Sequence, residues 1–304
     1  LNTCVALENV IISADNPNYK SENGIIYNKS GDTLVYSYVP AAVDENGVLT
    51  VTAKNIGASA YAGQMGFKKV VFSKDIVTIG ANAFEGCSNL TEVEFSKESG
   101  SLTAISDSAF KNCTSLATVA NMPATVTSIG KYAFSGCKSL KNIEYGAGVT
   151  TLGNYAFENS GLTEITFPKQ LTTLGQEVFK GSAAVTQVYS QETVNGKLVT
   201  VYKPVAISLP ASLTSIGASA FKNVQISSLT LHEGITSIGN YAFSGCTLLE
   251  TVVFEHSTDK PSQLTQKDSY GTNMFRECTS LKDVTLPANM TAIPANMFYG
   301  CKAL

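Results

Sequence analysis

Tryptophan is absent from the chain, and histidine occurs only twice in 304 residues, as His232 and His256. Zinc sites and acid–base catalysis lean on histidine, so both lose their commonest side chain. His232-Glu233 lacks the second histidine of a zinc-protease helix. Charge is scarce too, at 15% of residues with a net value of −3. That balance offers no positive field to nucleic acid or to an anionic bilayer, so nucleic-acid partners are not expected. No apolar run reaches the roughly eighteen residues of a membrane span. The seven cysteines include no Cys-x-x-Cys pair, and no Gly-x-Ser-x-Gly elbow occurs. The expectation is therefore no catalytic residue, no metal and no cofactor.

Apolar residues are not scarce: they make up 44% of the chain, enough for a buried core. With so few charges, the surface falls to Ser, Thr, Asn and Gly, a style common in secreted proteins.

Self-alignment supplies the organisation. The segment Thr78-Ile79-Gly80-Ala81-Asn82-Ala83-Phe84-Glu85-Gly86-Cys87 returns as Ser128-Ile129-Gly130-Lys131-Tyr132-Ala133-Phe134-Ser135-Gly136-Cys137, and again from Ser237. An aromatic marker recurs at Tyr61, Phe84, Phe110, Phe134, Phe157, Phe179, Phe221, Phe243, Phe275 and Phe298. The steps between markers are 23, 26, 24, 23, 22, 42, 22, 32 and 23 residues. Each unit reads Leu-x-x-Val-x-Phe, a spacer, then Val-Thr-x-Ile-Gly-x-x-Ala-Phe-x-x-Cys.

The alternation in the first half predicts a short strand, and the spacing in the second half predicts about two turns of helix. One such unit cannot bury its own apolar face, but stacked units share a continuous core and a parallel sheet. The expected fold is an α/β repeat: a solenoid with one parallel strand and a short helix per coil of about 23 residues.

Departures from the period locate insertions in a single domain spanning 1–304. Residues 13–50 carry an N-terminal hairpin insertion. Residues 190–204 hold a second hairpin, signalled by Asn195-Gly196 between β-prone runs. Residues 256–269 form a polar loop insertion. The array is expected to continue past both ends, because each end falls inside a unit.

These residues resemble the BspA-like class of bacterial leucine-rich repeats. The resemblance rests on the repeated Ile-Gly-x-x-Ala-Phe-x-x-Cys and on Phe167-Pro168, Leu209-Pro210 and Leu286-Pro287 after the strands. It rests also on Asp15-Asn16-Pro17-Asn18-Tyr19, which looks like a hairpin insert common in that class. The resemblance covers essentially the whole chain. It implies a bacterial protein that is secreted or at the cell surface, with an adhesion-type role. The implied partner is a host matrix or cell-surface protein, or another cell's surface. No catalytic residues come with it. The alternatives are a spacer displaying another domain and a glycan-binding accessory protein, which would need clustered aromatics.

All seven cysteines, Cys4 included, fall three residues after the marker position, where Ser160, Ser182 and Val224 stand in other units. Small volume is the shared property, so buried free thiols are expected in place of metal ligands or disulfides. The recurring Ile-Gly glycine is expected to serve a turn. Glu92 and Glu94 would satisfy a glycosidase search by spacing alone, but in a strand they share the solvent face.

That outward face is the candidate binding surface, expected to be concave. Its residues are Lys69, Glu92, Glu94, Thr118, Asn142, Glu144, Glu164, Thr166, Gln187, Thr230, His232, Thr251 and Asp283, with Ser228, Glu255 and Thr285 in the same register. The row is acidic and rich in hydroxyls, with Lys69 the main opposing charge.

Overall fold

A computed structural model describes residues 10–37, 43–98, 100–182, 189–194, 197–202, 207–255, 269–287 and 290–304. Contacts divide the chain into two compact units, Leu1–Gly161 and Leu162–Leu304. Each is a stack of coils with three sides: two parallel strand ladders and a ribbon of turns.

Unit 1 opens with an antiparallel meander, β1 (Tyr19–Glu22), β2 (Ile25–Asn28) and β3 (Thr33–Ser37). The first ladder contains β4 (Val48–Val51), β6 (Lys69–Phe72), β8 (Glu92–Phe95) and β10 (Thr118–Ala120). Its register runs Val48↔Lys69, Lys69↔Glu92 and Glu92↔Thr118. The second side carries two-residue strands in two ladders: β5 (Asn55–Ile56) pairs with β7 (Thr78–Ile79), and β9 (Ala104–Ile105) pairs with β11 (Ser128–Ile129), which pairs with β12 (Thr151–Leu152).

The meander joins the β5–β7 ladder through parallel pairing of β3 with β5. Ser37 stands where a preceding coil's aromatic would be. Its N–H donates to the Ala60 carbonyl at 2.9 Å, and its carbonyl accepts from the Gln64 side chain. Gln64 occupies the repeat's cysteine position.

Unit 2 repeats the plan. β13 (Thr173–Leu174), β16 (Ser215–Ile216) and β18 (Ser237–Ile238) form one ladder, and β17 (Ser228–Leu231), β19 (Thr251–Phe254) and β20 (Asp283–Thr285) the other. β14 (Tyr189–Val194) and β15 (Lys197–Tyr202) pair antiparallel, with Asn195 and Gly196 of the hairpin signal outside the described residues. Although 42 residues separate Phe179 from Phe221, β13 and β16 pair directly, so the insertion loops out without breaking the ladder. The expected 256–269 loop lies almost wholly outside the described residues, as do Cys4 and Gln187.

The helix expected in each coil does not form, and no helix is present among the described residues. Two backbone facts exclude it. The residues two before and two after each marker have positive φ, for example Asn82 (59°) and Gly86 (75°), or Tyr132 (56°) and Gly136 (76°). A right-handed helix needs negative φ throughout. Alternate N–H groups also leave the coil altogether. Asn82, Phe84 and Gly86 donate to the Asp107, Ala109 and Lys111 carbonyls of the next coil at 3.0, 2.8 and 2.8 Å. What remains inside the coil is a chain of three-residue turn bonds, such as Glu85 N–H to Asn82 and Cys87 N–H to Phe84. The second half of each unit is therefore a third ladder. Its inward Ala and Phe match helical spacing because two tight turns place them on one side.

The core is this inward set. Marker rings stack along unit 1 at 5.0, 5.3, 5.5 and 5.6 Å from Tyr61 to Phe157, with planes 6–8° apart. In unit 2, Phe221, Phe243, Phe275 and Phe298 stack at 5.2, 5.5 and 5.9 Å. A second aromatic at the strand end meets the file edge-on, as Phe72 does on Phe84 and Phe254 on Phe275.

Candidate functional site

In β8 the alternation places Val93 and Phe95 at 0% exposure and leaves Glu92 and Glu94 half-exposed. Parallel register sets Glu92 beside Lys69 and Thr118, and Glu94 beside Val71 and Ala120. The Lys69 ammonium lies 2.7 Å from a Glu92 oxygen and 2.6 Å from a Glu94 oxygen. Hydrogen bonds to Glu92 and then Glu94 raise the Lys69 pKa above its ordinary value. The two carboxylates expected to repel each other thus share one cation, and the triad carries a net charge of −1.

The remaining predicted residues divide by unit. Asn142 and Glu144 are exposed on either side of buried Ile143 in unit 1, and this stretch forms no strand. Glu164 and Thr166 flank buried Ile165 in unit 2 in the same way. The alternation survives at both places without a ladder. Further along unit 2, Thr251 pairs in register with Ser228 and Asp283, and Thr230 with Val253.

His232 is tied to the backbone through both ring nitrogens. Its Nδ1 accepts the Gly234 N–H at 3.2 Å, which leaves Nε2 to carry the proton and donate to the Pro210 carbonyl at 3.1 Å. Neither nitrogen is left for catalysis. His256 lies outside the described residues.

The thiols are placed as small core groups, with a further role the spacing did not show. Each described cysteine reaches back one coil to the carbonyl of the preceding marker. Examples are Cys87 to Tyr61 and Cys113 to Phe84 at 3.1 Å, and Cys137 to Phe110 at 3.2 Å. All six described cysteines are free, and burial pushes the Cys137 thiol up to about 12. No group of three or more His, Cys, Asp or Glu side chains among the described residues could hold a metal ion.

Sequence reasoning also missed a row on the turn ribbon. Tyr132 and Tyr155 stack at 4.8 Å, both in the left-handed region, and Lys131 sits 5.1 Å from the Tyr132 ring. The signal was the Tyr-Ala-Phe run in consecutive units.

Comparison with curated proteins returns no match. Among solved structures, the chain is similar to a leucine rich cell surface protein from Faecalibacterium prausnitzii A2-165. The two are 19% identical over 96% of this chain and 94% of that one, with a TM-score of 0.43. A leucine-rich repeat protein from Bacteroides ovatus is also 19% identical, over 96% and 93%, with a TM-score of 0.45. The pneumococcal vaccine antigen PcpA is 18% identical over 92% of each chain, with a TM-score of 0.46. The family model for the BspA type leucine rich repeat region matches residues 54–195 and 203–304, in six copies. Those ranges cover most of the chain and share its repeat, and the protein belongs to the BspA type leucine-rich-repeat family.

Proposed function

We propose that the protein is a non-enzymatic interaction module of adhesion type, acting at the cell surface or outside the cell. In this reading the outward face of β4, β6, β8 and β10 meets a protein partner such as a host matrix or cell-surface protein. Family membership supports a binding role. The observation that carries the choice of face is the Lys69–Glu92–Glu94 triad among small and hydroxyl-bearing neighbours. Strands ~4.8 Å apart hold these groups in fixed files. A spacer would need only Thr or Asn there, whereas a triad with excess acid, continued by exposed Glu144, suits a basic patch on a partner. Such contacts are individually modest and chiefly set association rate and specificity. Thr230, Thr251 and Asp283 are the equivalent outward residues of unit 2.

The test is a binding screen against matrix proteins and intact cells, followed by kinetics of the protein and of its Glu92→Gln/Glu94→Gln/Glu144→Gln variant. The variant should fold normally, associate more slowly and lose salt dependence, because screening acts on exposed charges. Unchanged rate and salt dependence would remove this face from recognition. A Glu164→Gln variant reports on unit 2 independently.

A further inference from the structure

The strand register of the meander puts Lys20 opposite Tyr27 and Glu22 opposite Ile25. Directly opposed residues share a face, and so do residues two apart on one strand. All four side chains therefore project from the same side of β1 and β2. There they wall a cleft of about 370 Å³, closed on the other side by Thr52 and Ala53. Ile25 and Ala53, both buried, give it an apolar floor. The Lys20 ammonium lies 5.9 Å from the centre of the Tyr27 ring and makes no ion pair with any described residue. It passes over Gly31, where even a methyl group would sit 2.6 Å from Nζ. Burial, and then the charge of Glu22, raise the Tyr27 pKa, so its phenol stays protonated as a hydrogen-bond donor.

We propose that this cleft binds a small hydroxyl-rich carboxylate, an acidic sugar residue of a glycan, with the carboxylate on Lys20. Glu22 shares the cleft but forms no ion pair with Lys20, so the ammonium remains available to a ligand anion through a charge-assisted hydrogen bond. Concave sites with an apolar floor and a few convergent polar groups are where small ligands bind. Glu22 decides the class. A carboxylate beside a single ammonium disfavours phosphate dianions, but it accepts hydrogen bonds from sugar hydroxyls, as do the Asn23 amide and the Thr52 hydroxyl. Tyr27 and Ile25 fit the apolar face of a pyranose. The site is separate from the β4–β10 face, so its success or failure leaves the protein-binding proposal untouched.

The experiment is ligand-observed saturation-transfer NMR on the full chain, with methyl glucuronide as probe and methyl glucoside as its uncharged match. The glucuronide should bind about tenfold more tightly, the ratio one charge-assisted hydrogen bond supplies. Lys20→Met keeps the aliphatic stem and should erase the difference, whereas Lys74→Met, outside the cleft, should preserve it. Far-ultraviolet circular dichroism and the melting point establish that both variants fold. No transfer to the glucuronide, equal binding of the two sugars, or full preference in Lys20→Met would overturn the proposal.

Discussion

Replacing Gly80 by alanine tests whether the repeat glycine serves a turn or the spacing between coils. Gly80 does not have positive φ. Its Cβ would fall 2.6 Å from the Ala58 nitrogen and 2.6 Å from the Gly57 carbonyl carbon, both backbone atoms of the preceding coil. Carbon contacts are comfortable at about 3.5–4.0 Å, so the coils would have to part by close to ~0.9 Å. The Gly80 N–H donates to the Ile56 carbonyl at 2.8 Å. Parted by that much, this bond would exceed the range of a real hydrogen bond. Overpacking costs about 1–3 kcal/mol and each lost buried backbone bond about 1 kcal/mol, so a loss of about 2–5 kcal/mol is expected. Gly63 is the matched control. Its φ is +75°, yet nothing lies within 4 Å of an added Cβ. Gly63→Ala should therefore cost only the left-handed strain, roughly 1–2 kcal/mol. Urea melts followed by two spectroscopic probes would measure both, since agreement between probes licenses a two-state reading of a repeat protein. If Gly80→Ala proved no more costly than Gly63→Ala, close approach between coils would not be what selects glycine there.

The Phe134 ring has neighbours in the file at 5.5 and 5.6 Å and no solvent exposure. Phe134→Ala should cost about 3–5 kcal/mol, and a loss below about 1 kcal/mol in the same melts would contradict a stacked core. The thiols give a pH prediction. Burial raises Cys137 from an ordinary value of 9.0 to about 12 and half-buried Cys301 to about 11. Between those limits the unfolded chain has released protons that the folded chain retains, so unfolding is favoured as pH rises. Stability should be unaffected by these groups below pH 9 and fall between about 9 and 12. Alkylation of the native protein should reach Cys301 before Cys137, and mass spectrometry of unfolded, unreduced protein should find every thiol free. Equal rates or bridged peptides would be incompatible with the buried ladder.

The sequence alone determined the stacking, because a marker recurring at steps of 22–26 residues, apart from two longer ones, leaves each unit unable to bury its apolar side by itself. It also determined which residues point inward, since alternation around Val93 or Leu229 depends only on the two-residue period of a strand. The β-prone runs that pair as β14 and β15 could be read for the same local reason. Whether the Ala-Phe segment was helix or turns was not legible from spacing. Both conformations bring those two side chains to one side, and the choice rests on hydrogen bonds to a coil some 23 residues away. The signal lay in Asn82 and Gly86 and their equivalents, residues that tolerate positive φ, but a tyrosine or glutamate takes the position where stacking or an ion pair holds it. The charge of the candidate face was likewise a tertiary matter. The glutamates could be read as one acidic band, yet only the register of β6 on β8 shows Lys69 reaching both Glu92 and Glu94. The Lys20 cleft was invisible for a similar reason. Its two walls come from Lys20 to Tyr27 and from Thr52 to Ala53, and nothing local to either stretch says that they face each other.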